Sequence, residues 1–190
     1  MNDNSVSIPS HLESVLGPIV YGWSDAKSDH KIVVAKFADT PEAGVVTYST
    51  LGLSDFELEL SNKEKIRQEL LFSTETVESE TNFSGLLFSV AESAIDTNRA
   101  FHRGEIVSIP GDMLPNTRIV ALYVTNPSAF PDTLISLSNA EPPVIFVFLV
   151  PITSQERNLI QAQGWGEFEK LLEEQDPNIW DLRRTDEVIA

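Results

Sequence analysis

Cysteine is absent from the 190-residue sequence. That absence removes disulfides, thiolate nucleophiles and cysteine-ligated zinc or iron–sulfur centres together. Positive charge is scarce: 13 Lys and Arg stand against 29 Asp and Glu, for a formal net charge of -16. Nucleic acid and anionic lipid are gripped by clustered Lys and Arg that displace counterions, so neither is expected as a direct partner. Long apolar runs are missing as well. The longest, Val144 to Val150, is far too short to cross a bilayer, and the opening MNDNSVSIPSHLESVLG has no basic segment followed by an apolar one. Cytoplasmic residence is the expectation.

Recognisable cradles for cofactors are also lacking. There is no P-loop, no dinucleotide glycine fingerprint, no nucleophile elbow and no HExxH, so no cofactor is expected. The histidines, His11, His30 and His102, have no second His or Cys at a ligand interval. His102 with Glu105 is the best local pair for a metal, yet two ligands alone do not make a site, and none is expected.

What remains is an ordinary globular composition, 42% hydrophobic and 22% charged, in a length suited to one well-cored domain. We expect a single domain over residues 1–190, with an ordered core from about residue 10 to 176 and a C-terminal tail over 177–190. Residues His11 to Leu16 predict a short helix capped by Ser10, with Glu13 in capping-box position and Gly17-Pro18 as the stop. Lys31 to Ala38 and Gly44 to Thr50, rich in β-branched residues, predict two antiparallel strands. Phe56 to Leu60 alternates strictly, which puts Glu57 and Glu59 on the wet face of a strand, and Ile66 to Ser73 reads as its hairpin return. From Asn82 the period changes: Phe83, Leu86, Leu87, Val90, Ala91, Ala94 and Ile95 mark a core helix ending near Asn98. A short strand follows over Glu105 to Ile109. Ile119 to Thr125 and Val144 to Val150 suit interior strands covered on both faces, with Pro151 as the strand end. The long connection Asn126 to Pro143 between them is either a binding feature or a plain crossover. Thr153-Ser154-Gln155-Glu156 opens a capped helix that stops at Gly164, and a second helix follows with Phe168, Leu171 and Leu172 as its apolar stripe. Its acidic residues Glu167, Glu169, Glu173 and Glu174 form the outer surface.

Several strings in this order resemble the suppressor of fused domain family in its single-domain bacterial form. They are Val46-Thr47-Tyr48-Ser49-Thr50-Leu51-Gly52-Leu53-Ser54-Asp55, Arg67-Gln68-Glu69-Leu70-Leu71, His102-Arg103-Gly104-Glu105-Ile106-Val107, and Val150-Pro151-Ile152-Thr153 with Glu156 and Gly164. The resemblance implies an α+β fold, a mixed, mostly antiparallel β-sheet with helices packed against it. It also implies a binder rather than a catalyst, since bacterial members look like immunity proteins that neutralise a toxin encoded beside them. The larger eukaryotic relatives clasp an extended peptide with the help of a second domain, for which this chain is too short.

The acidity is regional: 8 of the acidic residues lie between Ser54 and Glu80, and 9 between Glu156 and Ala190. If these regions share a side, they suit a basic protein partner such as a nuclease toxin. The candidate contacts are Asp55, Glu57, Glu59, Glu75, Glu78 and Glu80, with Tyr48, Trp165 and Trp180 as aromatic anchors. Two further readings stand beside this one. A hydrolase using His102, Glu105 and a cleft carboxylate requires an enclosed polar pocket, and a regulatory peptide binder requires an unpaired edge near Glu57 to Leu60.

Overall fold

The computed structural model describes residues 7–26, 28–75, 80–109, 114, 116–138, 142–185 and 188. Helix α1 (Ile8–Leu16) leads into strands β1 (Ile19–Ser24), β2 (Val33–Ala38), β3 (Val46–Leu51), β4 (Leu58–Glu59) and β5 (Lys65–Thr74). Then come α2 (Glu80–Thr97), β6 (Ile106–Ser108), β7 (Ile119–Thr125), β8 (Ser136–Leu137), β9 (Val144–Thr153), α3 (Ser154–Gln163) and α4 (Trp165–Gln175). The strands form one mixed sheet in the order β1-β2-β3-β5-β9-β7-β6, with β4 added to β5 and β8 to β9. The β5–β9 pair is parallel and the other described pairs are antiparallel. This is the expected α+β architecture. A parallel pair needs a crossover, and the chain from α2 through β8 supplies it.

Alternation along β9 divides the core. Val147 and Leu149 meet Phe83, Leu86, Leu87 and Val90 of α2 on one face. Phe146, Phe148 and Val150 meet Leu12 and Leu16 of α1, Leu159 and Ile160 of α3 and Phe168 of α4 on the other. A strand buried on both faces reads as a continuous apolar run, which is why Val144 to Val150 was recognisable as interior.

Four expectations need correction. Helix α1 begins earlier than predicted, because Ser7 rather than Ser10 is the cap, accepting from the Ser10 amide at 3.3 Å, and Pro9 is tolerated in the first turn. Glu13 does not close a capping box; it accepts from the Ile19 amide. Strand β9 runs through Pro151 to Thr153, since Pro151 lacks an N–H but still takes a place opposite Leu122, and its carbonyl accepts from Arg184. Within Phe56 to Leu60 only Leu58 and Glu59 are strand, and their outer edge is not free. The Glu59 amide donates to Asn98 and its carbonyl accepts from Ala100, which closes the site proposed for peptide addition there. The sheet's outer strands are β1 and β6, and β1, which no sequence signal announces, carries the more exposed side chains, with Val20 and Tyr21 50% and 57% exposed.

The resembling strings turn out to be joints of the fold. Glu69, fully buried on β5, accepts from the Thr50 hydroxyl at 2.6 Å, the Gly52 amide at 2.9 Å, the Ser54 amide at 3.1 Å and the Ser54 hydroxyl at 2.6 Å. Gly52, with φ +104, turns the chain so that these amides converge. Gln68 next to it exchanges two hydrogen bonds of 2.9 Å with the Phe101 backbone. Burial pushes the Glu69 carboxyl up to about 7, against the four hydrogen bonds that favour its ionised form. Its folded value is raised, so its stabilising contribution is complete below about pH 4.5 and fades as pH rises through about 7. The stability advantage of the wild type over Glu69→Gln is therefore expected to shrink between pH 5 and pH 8, by on the order of 2 kcal/mol in urea titrations. A constant difference would contradict this assignment.

Candidate functional site

The most developed polar constellation on the described surface is built by four residues from three elements. Strand β7 brings Tyr123 and Thr125, the turn before β6 brings Arg103, and α4 brings Glu169. Glu169 lies one turn after Trp165 and beside Phe168, on the inward stripe of α4 rather than on its outer surface as expected. Its Oε1 accepts from the Tyr123 hydroxyl at 2.7 Å, the Thr125 hydroxyl at 2.9 Å and Arg103 Nε at 3.0 Å, while Oε2 accepts from Arg103 Nη2. Burial alone would raise this carboxyl, but hydrogen bonds donated by Arg103, Tyr123 and Thr125 outweigh it and hold the group below its ordinary range. Burial, and then the hydrogen bond to Glu169, push the Tyr123 phenol well above its usual value. An ionised carboxylate and a firmly protonated phenol are poorly placed to exchange protons near neutrality.

Trp165 completes the joint. The Arg103 guanidinium sits 5.0 Å from its ring centroid, a cation–π distance, and the indole packs closely against Gly104. Gly104 has φ +95, and a Cβ there would stand 2.5 Å from Trp165 Cδ1. Gly104→Ala is expected to cost about 1–3 kcal/mol and to displace the indole, visible as a moved Trp165 side-chain resonance in a nitrogen–proton spectrum. An unmoved resonance would show that the indole is held elsewhere.

Beside this network a cavity of about 610 Å³ opens between α4, β7, β9 and the connection from Asn126 to Ile135. Phe148, Val150, Leu172 and Ile179 give it an apolar wall, and Asp132 and Glu173 stand with Glu169 in its lining. The long connection, read from sequence as either binding feature or crossover, forms one side of it.

The predicted contacts do not gather at one place. Tyr48 is 1% exposed and packs against Trp23, Phe72 and Phe83, which removes it as a surface anchor. Asp55 is exposed, while Glu57 pairs with Lys65 and Arg67, and Glu59 pairs with Lys63. Glu75 sits at the other end of β5, roughly 30 Å away along a ten-residue strand. There its carboxylate accepts from Asn178 and its amide donates to Trp180, so the two acidic regions meet at this end. Trp180 is half-buried against Phe148, and Trp165 is 43% exposed. Glu78 and the side chain of Glu80 lie outside the described residues. At the C-terminal end of α4, Glu173, Glu174 and the capping Asp176 remain exposed.

His102 and Glu105 are engaged separately: His102 Nε2 accepts from the Ser61 amide, and Glu105 pairs with Arg99 at 2.8 Å. Neither lines the cavity. Among the described residues no group of three or more His, Cys, Asp or Glu is placed to hold a metal, and no helix is long and apolar enough to cross a membrane.

Comparison with known proteins gives a consistent result. Residues 28–185 match the family model described as suppressor of fused protein (SUFU). The chain is 25% identical over 164 residues to immunity protein YqcF of Bacillus subtilis (strain 168), covering 85% of this chain and 84% of that one. It superposes on a SUFU homolog from Neisseria gonorrhoeae FA 1090 with TM-score 0.75 at 17% identity, over 95% and 94% of the two chains. It matches a chain of the Sufu–Fu complex with TM-score 0.69 at 14% identity, over 95% and 90%. Drosophila Suppressor of Fused gives 0.59 at 14% identity, where 88% of this chain covers 42% of that one.

Proposed function

The chain belongs to the suppressor of fused family, and from that membership we propose that it is a non-catalytic protein-binding module acting as an immunity protein. In this reading it neutralises a cognate, basic protein toxin in the cytoplasm by direct contact through an acidic surface. The observation that carries the reading is the likeness, over 85% of the chain, to a protein named for immunity. The charge of -16 supports it, because such a field speeds the encounter with a basic partner and favours its correct orientation.

The geometry favours the α4 end as the contact surface. Glu57 and Glu59 each form direct ion pairs, which cancel much of their field, whereas Glu173, Glu174 and Asp176 stand exposed together. Lys170, the cation whose charge Glu174 is seen to feel, is already paired with Glu167. Glu75 and Trp180 adjoin this end. Asp55 remains a candidate of lower rank on the far side. The protonation states of Glu169 and Tyr123 support binding over hydrolysis, as does the separate engagement of His102 and Glu105.

The test is co-expression of the tagged chain with the product of its neighbouring gene. Co-purification together with rescue of growth is expected. Rescue without a complex would point to enzymatic detoxification and overturn the binding reading. A second reading, a regulatory peptide binder, is favoured by the exposed edge of β1 with Val20 and Tyr21; it would gain if neither effect were seen.

A further inference from the structure

We infer that the cavity beside α4 is a socket for one basic residue of the protein partner, an Arg or Lys inserted together with its immediate neighbours. The inference rests on the binding reading above and adds the place and chemistry of the anchor.

Charge sets the sign of the occupant. Three carboxylates, Asp132, Glu169 and Glu173, line the cavity against one guanidinium, Arg103. Arg103 is committed, since both its Nε and Nη2 donate to Glu169 and its guanidinium sits over the Trp165 ring. Two negative charges, Asp132 and Glu173, are left without an ionic partner among the described residues. An anion entering here meets repulsion, and a purely apolar ligand strips water from carboxylates without replacing it. Glu169 is not the receiving group, because Oε1 already accepts from three donors. The cationic head belongs with Asp132 and Glu173, which are both exposed at the rim.

Shape sets the rest. Phe148, Val150, Leu172 and Ile179 offer an apolar wall for the methylene stem of a long basic side chain, which packs its stem on apolar surface and keeps its head among polar groups. A volume of about 610 Å³ exceeds one side chain and falls within the range of roughly 300–1,000 Å³ that ligand clefts occupy. A short segment therefore fits better than a lone residue. Glu173 belongs both to the lining and to the acidic face of α4, so a chain leaving the socket continues directly onto that face. This continuity favours a protein segment over a free small cation.

The probe is the peptide acetyl-Ala-Arg-Ala-amide, titrated into the full chain and followed by backbone amide shifts. Norleucine- and Glu-centred peptides and spermidine serve for comparison. Saturable shifts at Thr125, Asn126, Ser128 and Leu172 are expected with the Arg peptide, at least five-fold weaker in the variant D132N/E173Q, whose two changes are on exposed side chains. Equal shifts from the norleucine peptide, or no loss in that variant, would overturn the socket. Tighter binding of spermidine than of the Arg peptide would also overturn it, in favour of a free polyamine. Failure here with the toxin complex intact removes the socket alone. Failure of the complex itself removes the binding reading on separate grounds.

Discussion

Replacing Glu69 by Ala is expected to destabilise the fold by about 2–4 kcal/mol at pH 5.5, read as a lowered urea midpoint. The substitution leaves four donors behind. The hydroxyls of Thr50 and Ser54 can rotate toward other acceptors, but the amides of Gly52 and Ser54 are fixed by the turn and stay buried without a partner. An unsatisfied buried amide costs about 1–3 kcal/mol, and the void left by the side chain adds to it. Glu69→Gln keeps an acceptor for Ser54 and is expected to cost less than Glu69→Ala at this pH, by about 1 kcal/mol. If both variants lost equally little, the carboxylate would not be the joint between the β3 turn and β5 that its contacts make it.

Arg184→Met is expected to cost about 3–5 kcal/mol, because it leaves Glu156 charged and buried. Glu156 is 0% exposed; its Oε2 accepts from the Thr153 amide at 2.8 Å and from Arg184 Nη2 at 2.7 Å, and its Oε1 accepts from the Val188 amide at 3.2 Å. Arg184 Nη2 also donates to the Pro151 carbonyl at 2.9 Å. One ion pair thus ties the C-terminal segment to the end of β9 and the start of α3. Nε and Nη1 of Arg184 are buried with no hydrogen-bond partner among the described residues, so desolvation of this guanidinium is only partly offset. Neutralising both partners is therefore expected to be milder: Glu156→Gln with Arg184→Met should lose less than Arg184→Met alone. Hydrogen exchange should show faster exchange at Leu182 and Arg184 in the single variant. An additive double variant would contradict a buried coupled pair.

Periodic signals in the sequence translated directly into structure. The continuous apolar run of Val144 to Val150, the helical spacing of Phe83 to Ile95 and the Thr153-to-Glu156 capping box all describe local physics, and each appears where it was expected. The misses arise where distant chain decides. Strand β1 carries Gly22 within an apolar run and pairs with β2 alone, so no alternation announces it. The Phe56-to-Leu60 strand is cut short because Asn98 and Ala100 take the backbone groups of Glu59. Glu156 was recognisable as a cap, but its partner Arg184 lies 28 residues on and leaves no local trace. Glu169 did leave one. Its spacing from Trp165 and Phe168 puts a carboxylate on the apolar stripe of α4, which is the pattern of a half-buried, paired acid rather than a fully solvated one.

The acidic surface illustrates the same division. Regional counts of Asp and Glu joined residues at opposite ends of β5 and included Glu69 and Glu156, which are buried joints of the fold. Only the folded chain separates carboxylates that hold structure from those that remain available at the α4 end.

The central proposal is that this end binds a basic protein partner. Its most direct test compares two charge-reversed chains, E173K/E174K and E57K/E59K, in co-purification with the product of the neighbouring gene. The account predicts that E173K/E174K loses the complex and the rescue of growth while keeping its urea midpoint, and that E57K/E59K retains both. Loss with E57K/E59K and retention with E173K/E174K would contradict it.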